Sequence, residues 1–216
     1  ATQYFVGSFD GHKFTCESPS YLAKWMDYGK DHYATVSWSD APNGRRTVIG
    51  WMSNWQYGND VPTMQFRSAN TIARDLGLFR DSDGECYLSV VPSPEIETLR
   101  GEKAAYHTSV IGAEASNYSL PTANDGVCEI VVDYEANGCR NMTLTLSNSK
   151  GENVVMTIDP NMQQFSMDRS KSGIIKFSRH FPSTTTAPMH NSKGKGQLRL
   201  FIDRCSIEAF AGDGHF

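Results

Sequence analysis

Tyr33-Ala34-Thr35-Val36-Ser37-Trp38 and Thr47-Val48-Ile49-Gly50-Trp51, with Asn43-Gly44 between them, form the stretch that decides the fold. Both runs are rich in β-branched and aromatic residues at the two-residue period of a strand, and Asn-Gly accepts the positive φ of a tight reversal. The same grammar recurs along the chain. Residues 87–91, 129–134 and 142–146 read as further strands, and Asp10-Gly11, Asp83-Gly84 and Asn137-Gly138 as further hairpin turns. An all-β chain of antiparallel meanders is expected.

The second of these strands runs into Met52-Ser53-Asn54-Trp55, followed by Tyr57 and Val61-Pro62-Thr63. Folding alone does not require two tryptophans and an amide packed so closely. Aromatic faces beside an amide suit a flat, hydroxylated ligand, and sugars are the obvious class. Trp51, Asn54 and Trp55 are therefore the candidate sugar contacts, with Asp27 and Tyr28 at the pocket rim. The competing reading makes the aromatics core packing and residues 27–31 a turn whose carboxylates are satisfied internally.

Composition narrows the alternatives. The chain has 216 residues, a formal charge of -4 from 24 acidic and 20 basic side chains, and no Lys/Arg run, which argues against nucleic acid. No apolar run approaches the roughly 18 residues of a membrane-spanning helix. Six histidines lack metal-ligand spacing and no phosphate loop appears, so neither metal nor cofactor is called for. The five cysteines read as ordinary thiols, with Cys128 and Cys139 the pair nearest to bridging, and they leave the compartment open.

Composition shifts at Pro92-Ser93-Pro94-Glu95-Ile96-Glu97-Thr98-Leu99-Arg100, where two prolines interrupt the strands and a short helical turn can begin. All four tryptophans precede it. The expected division is 1–95, a linker at 96–103, and 104–216 as a sandwich of short strands with a long loop at 183–196.

Several ordered blocks resemble one family. They are Tyr4-Phe5-Val6-Gly7 with Phe9-Asp10-Gly11, Trp25-Met26-Asp27-Tyr28-Gly29-Lys30-Asp31, Arg45-Arg46, Ile49-Gly50-Trp51-Met52-Ser53-Asn54-Trp55, Val61-Pro62-Thr63 and Arg74-Asp75-Leu76. In the second half they are Asp168-Arg169-Ser170-Lys171-Ser172-Gly173, Ala187-Pro188 and Asp203-Arg204-Cys205-Ser206-Ile207-Glu208-Ala209-Phe210. Together they resemble glycoside hydrolase family 32, the invertases, levanases and inulinases. The resemblance implies the last blades of a five-bladed β-propeller over 1–95, then a β-sandwich over 104–216 lacking its last strand. It also implies retaining hydrolysis of fructosyl bonds by two carboxylates.

Three segments imitate the family's catalytic motifs: Asp40-Ala41-Pro42-Asn43-Gly44 its nucleophile segment, Arg74-Asp75 its stabiliser, and Glu85-Cys86 its acid/base. Each departs from the pattern and has a plain structural reading in a turn or strand. The reacting carboxylates are therefore expected upstream of residue 1, leaving this chain inactive by itself, with a non-catalytic carbohydrate-binding module as the alternative and a purely structural sandwich as a weaker third. Arg67 and Arg74 are read as cations neutralising carboxylates. Isolated blades would expose apolar faces, so contact with another chain is expected, either a second copy or an N-terminal part. The location stays open; a secreted or periplasmic one is suggested by the resemblance alone.

Overall fold

The computed structural model describes residues 2–108, 112–120, 126–136, 138–190 and 195–215. Among them run fifteen strands: β1 Gln3–Tyr4, β2 Gly7–Phe9, β3 Phe14–Cys16, β4 Lys24–Trp25, β5 Tyr33–Ser37, β6 Thr47–Trp51, β7 Arg74–Arg80, β8 Cys86–Pro92, β9 Cys128–Glu135, β10 Met142–Ser147, β11 Asn153–Asp159, β12 Gln164–Lys171, β13 Thr184–Pro188, β14 Lys195–Asp203 and β15 Ser206–Ala211. Short 3₁₀ turns at Pro42–Gly44, Pro94–Leu99 and Gly212–Gly214 complete the regular structure.

The stretch that opened the sequence reading is β5 and β6, two strands of an antiparallel four-stranded meander in the order β5-β6-β7-β8. Asn43 and Gly44 reverse the chain between them with φ of 61° and 68°. Residues Asp81 to Glu85 close the long β7–β8 ladder, where Gly84 at φ 85° supplies the left-handed position. Before this sheet lie two small ladders, β1 with β4 and β2 with β3.

The second half is a sandwich of β10-β11-β12-β13 against β15-β14-β9. Strand alternation sends Met156, Ile158, Phe165, Leu198 and Leu200 inward to one buried cluster, with Ile130, Val132, Leu144 and Leu146 packed at its margin. Each such aliphatic side chain contributes about 1.5–3 kcal/mol when fully buried.

The two halves meet through β15. In Glu208-Ala209-Phe210-Ala211 the small residues face the sandwich core, while Phe210 belongs to the blade-half cluster with Met26, Val48 and Val90. Phe201 of β14 joins that cluster and meets Phe210 edge to face at 5.9 Å. The three-stranded sheet is thus covered on both faces, as a middle layer between the blade half and the outer sheet.

The structure corrects two local expectations. Residues 128–135 and 142–147 do not form a hairpin: β9 pairs with β14 and β10 with β11, so the connection changes sheet, and Asn137 lies outside the described residues. Turn chemistry does not distinguish a hairpin from such a corner. The loop expected at 183–196 contains β13, because β-branched Thr184-Thr185-Thr186 pairs with β12; residues 191–194 lie outside the described residues. All five cysteines are free thiols, Cys128 and Cys139 included, as the sequence reading expects.

Candidate functional site

A groove of about 850 Å³ runs between the blade half and the sandwich, with Asp27, Tyr28, Ser53, Arg169, Thr185 and Glu208 among its walls. Two charged clusters cross it. In the first, Arg74 at the start of β7 donates through Nη1 to Asp27 Oδ2 and through Nη2 to Glu208 Oε2, both at 2.6 Å. Its ring neighbour is Phe210, 5.1 Å away. Glu208 Oε1 also accepts the Ile72 N–H at 2.9 Å, and Asp27 Oδ1 accepts that of Gly29 at 2.7 Å. Burial works to raise the Asp27 carboxyl, but the Arg74 guanidinium, by its charge and hydrogen bond, holds it below the ordinary range. For Glu208 burial wins and the carboxyl is raised despite the same guanidinium.

His32 is fully buried beside this cluster, with Gly50 so close that a Cβ there would stand 2.8 Å from Nε2. Burial, followed by the Arg74 charge, lowers its pKa to about 4, so the ring is neutral at physiological pH.

The second cluster centres on Asp31. Arg169 of β12 donates to Asp31 Oδ2 at 2.5 Å and to the Tyr57 hydroxyl at 2.6 Å. Tyr57 and Asn54 both donate to Asp31 Oδ1, at 2.6 and 3.0 Å. Burial, then the Asp31 charge, pushes the Tyr57 hydroxyl up to about 12, so it remains a donor.

The five candidate residues do not converge on one surface. Asp27 and Tyr28 line the groove; Trp51, Asn54 and Trp55 are not among its walls. Trp51 is half-buried, donating Nε1–H to Ser68 Oγ at 2.7 Å and meeting Tyr33 at 6.2 Å and Trp55 at 5.0 Å. Trp55 is 71% exposed, so the aromatic row ends in a free indole face. Asn54 is spent internally: its Nδ2 serves Asp31 and the Lys30 carbonyl, and its Oδ1 accepts the Gln56 N–H. Arg74 neutralises two carboxylates, whereas Arg67 serves the backbone carbonyls of Asn59 and Val61 rather than a carboxylate.

The three imitations of catalytic segments are occupied elsewhere. Asp75 accepts two bonds from Arg45 and one each from Thr47 and Ser93. Glu85 accepts from Lys24 at 3.0 Å and Ser18 at 2.9 Å. Asp75 pairs with Val91 at one end of the β7–β8 ladder, and Cys86, next to Glu85, pairs with Arg80 at the other. Five residue steps, about 17 Å at 3.4 Å each, lie between these two ends, so the stabiliser and acid/base imitations are not side by side. Asp40 is an exposed turn residue at φ 55°.

Asp31, Tyr57, Arg169 and Glu208 were present in the sequence blocks without assigned roles. Their partners lie up to 138 residues away, so spacing carries no trace of the pairing. A signal did exist for Glu208: on β15 it shares a face with Phe210, opposite two alanines, marking a strand with an apolar partner on each side.

Comparison with known proteins covers the whole architecture. The family models for the glycosyl hydrolases family 32 N-terminal domain and C-terminal region match residues 1–89 and 95–216. A levanase of Bacillus subtilis (strain 168) is 39% identical over 219 residues, 98% of this chain and 32% of that protein. An extracellular exo-inulinase of Aspergillus ficuum is 31% identical over 99% of this chain and 41% of its own length. The crystal structure of exo-inulinase from Aspergillus awamori superposes with a TM-score of 0.87 at 29% identity, over 99% of this chain and 43% of that one. The chain thus spans about a third to two-fifths of the length of these relatives. With models of both its parts matched in order, each to one half of the fold, the chain belongs to glycosyl hydrolases family 32.

Proposed function

We propose that residues 1–216 are the C-terminal portion of a retaining β-fructosidase hydrolysing fructosyl bonds in levan, inulin or sucrose. The observation that carries this reading is the levanase similarity, which runs through blade half and sandwich alike. In this reading residues 1–95 are part of a propeller, 96–103 the linker and 104–216 the sandwich. The Trp51–Trp55 row forms one wall of the sugar pocket, through stacking of indole on the C–H face of a fructose ring. Asp27 and Tyr28 shape the rim.

The nucleophile and acid/base come from elsewhere in the polypeptide. The engagement of Asp27 and Glu208 by Arg74, and of Glu85 by Lys24 and Ser18, favours that division of labour. The test is an assay of this chain for fructose release from levan, inulin and sucrose, with binding of the same sugars measured in parallel. Robust release would overturn the claim that the reacting carboxylates lie outside residues 1–216. Binding without release fits the proposal and its alternative, a non-catalytic fructan-binding module, which the free face of Trp55 favours. Restoration of hydrolysis on adding the remainder of the polypeptide separates the two.

The exposed Phe5, Phe9, Trp38 and Leu78 of the blade half are the surface on which a second copy or the N-terminal part would pack. A monomer that sediments ideally at high concentration speaks against a second copy.

A further inference from the structure

We propose that Arg169 is a positioning residue, by which the sandwich holds the turn carrying Trp55 in place; its significance for sugar recognition rests on the reading of that turn as a pocket wall. Trp55 sits on a single turn closed by the Gly58 N–H donating to the Asn54 carbonyl at 2.8 Å. The side chains on either side of it, Asn54 and Tyr57, both donate to Asp31 Oδ1. A single carboxylate therefore ties both ends of the turn. Its other oxygen belongs to Arg169, and the second arm of the same guanidinium reaches the Tyr57 hydroxyl.

Arg169 is itself fixed from the sandwich side. Its Nε–H donates to the Phe181 carbonyl at 2.8 Å, and the guanidinium lies 4.0 Å from the Phe181 ring centre. Tyr57 stands edge-on to Phe177 and Phe181 at 6.2 and 5.5 Å, so the aromatic ring is clamped where the hydroxyl is bonded. Arginine suits the task because its planar fork binds two oxygens in fixed geometry, which a lysine ammonium cannot do.

Docking of the halves does not depend on this contact alone. Glu208–Arg74–Asp27 and the Phe210 cluster join the halves independently, at Asp27 rather than at the turn. Removing the Arg169 fork should therefore leave the halves together and release the turn. Through Trp51 the release reaches the whole aromatic row, since Trp51 and Trp55 touch at 5.0 Å with planes tilted by 59°.

Two indoles so placed couple their excited states and give an exciton couplet in the circular dichroism spectrum, readable without sugar. Trp55→Phe should abolish the couplet and so assign it. Arg169→Met should lose at least half of it, Arg169→Lys should restore part, and Tyr57→Phe, which keeps the packed ring, should show a smaller loss. Arg45→Met is the control, because Arg45 grips Asp75 and Glu95 far from the turn; its couplet should stay intact even as its melting temperature falls. An unchanged couplet in folded Arg169→Met, or an equal loss in Arg45→Met, would overturn the proposal. Should Arg169→Met fail to fold, Tyr57→Phe and Arg169→Lys decide in its place. A parallel levan titration tests the pocket-wall reading separately: no binding by the native chain speaks against that reading, while the couplet still decides the positioning role.

Discussion

The sandwich closes its own core with seven buried apolar residues drawn from both of its sheets, whereas the blade-half cluster has four, and one of these, Phe210, belongs to the sandwich. What the blade half lacks in apolar burial it replaces with charge: Arg74 between Asp27 and Glu208, Arg169 on Asp31, Arg45 on Asp75 and Glu95. Burial of apolar surface is non-directional, while a buried ion pair offsets its desolvation only when every partner is in place. The sandwich is thus held by its own apolar core, and the blade half depends on ion pairs that reach into the sandwich.

Removing Arg74 should break the charged half most severely. Arg74→Met leaves Asp27 and Glu208 buried without their cation, a loss of about 3–5 kcal/mol. All four tryptophans lie in the blade half, so intrinsic fluorescence reports that half, and far-ultraviolet circular dichroism chiefly the sandwich, whose strands are longer and hold more residues. Fluorescence should be lost at lower denaturant concentration than dichroism in this variant. Coincident transitions would show instead that the halves unfold as one unit. The converse change is Leu200→Ala, at a fully buried site, which should cost about 2–5 kcal/mol. It should lower both transitions, because the blade half borrows Phe210 and Phe201 from the weakened sheets.

The strands of both halves were legible in the sequence, whereas the charged contacts between the halves were not. β6 was readable to the residue as 47–51, and β8, β9 and β10 to within one residue at each end, since two-residue alternation is a local property. Asn54 shows where locality ends. Next to two tryptophans it reads as a sugar donor, yet its amide is committed to Asp31 and Lys30, more than twenty residues upstream. Asp75 and Glu85 are set aside in the sequence by their departures from the motifs, and the β7–β8 register adds that they stand at opposite ends of one ladder. Arg169 carried no local sign of a bond to Asp31.

Overpacking at Gly50 gives a smaller effect on the charged half. Gly50→Ala drives a Cβ against the His32 ring, which is enclosed and cannot swing away, for an expected loss of about 1–3 kcal/mol. Acidification acts on the same contact. The folded pKa of His32 lies below its ordinary value, so folding expels a proton; the contribution is complete above about 6.5 and is lost as pH falls toward about 4. Glu208, raised by burial, binds a proton more readily when folded and offsets part of that loss. The fluorescence transition should therefore move to lower denaturant between pH 7 and pH 4.5, and His32→Asn should flatten the profile. An equally steep profile in that variant would assign the acid sensitivity to other groups.

The mildest change separates stability from recognition. Trp55 is 71% exposed and sends no hydrogen bond to any of the described residues, so Trp55→Ala should alter stability by no more than about 0.5 kcal/mol. If its indole is a sugar platform, levan affinity should fall about tenfold for each 1.4 kcal/mol of stacking removed. Trp51→Ala should differ, because its N–H bonds Ser68 and its ring packs on Tyr33 and Gly58. That variant should lose stability as well as binding. Two tryptophans in contact would then divide between them the two properties that distinguish the halves, Trp51 anchored in the fold and Trp55 presented to the ligand. Equal losses of stability at both positions would return the pair to ordinary packing and remove the main reason for regarding this face as a pocket wall.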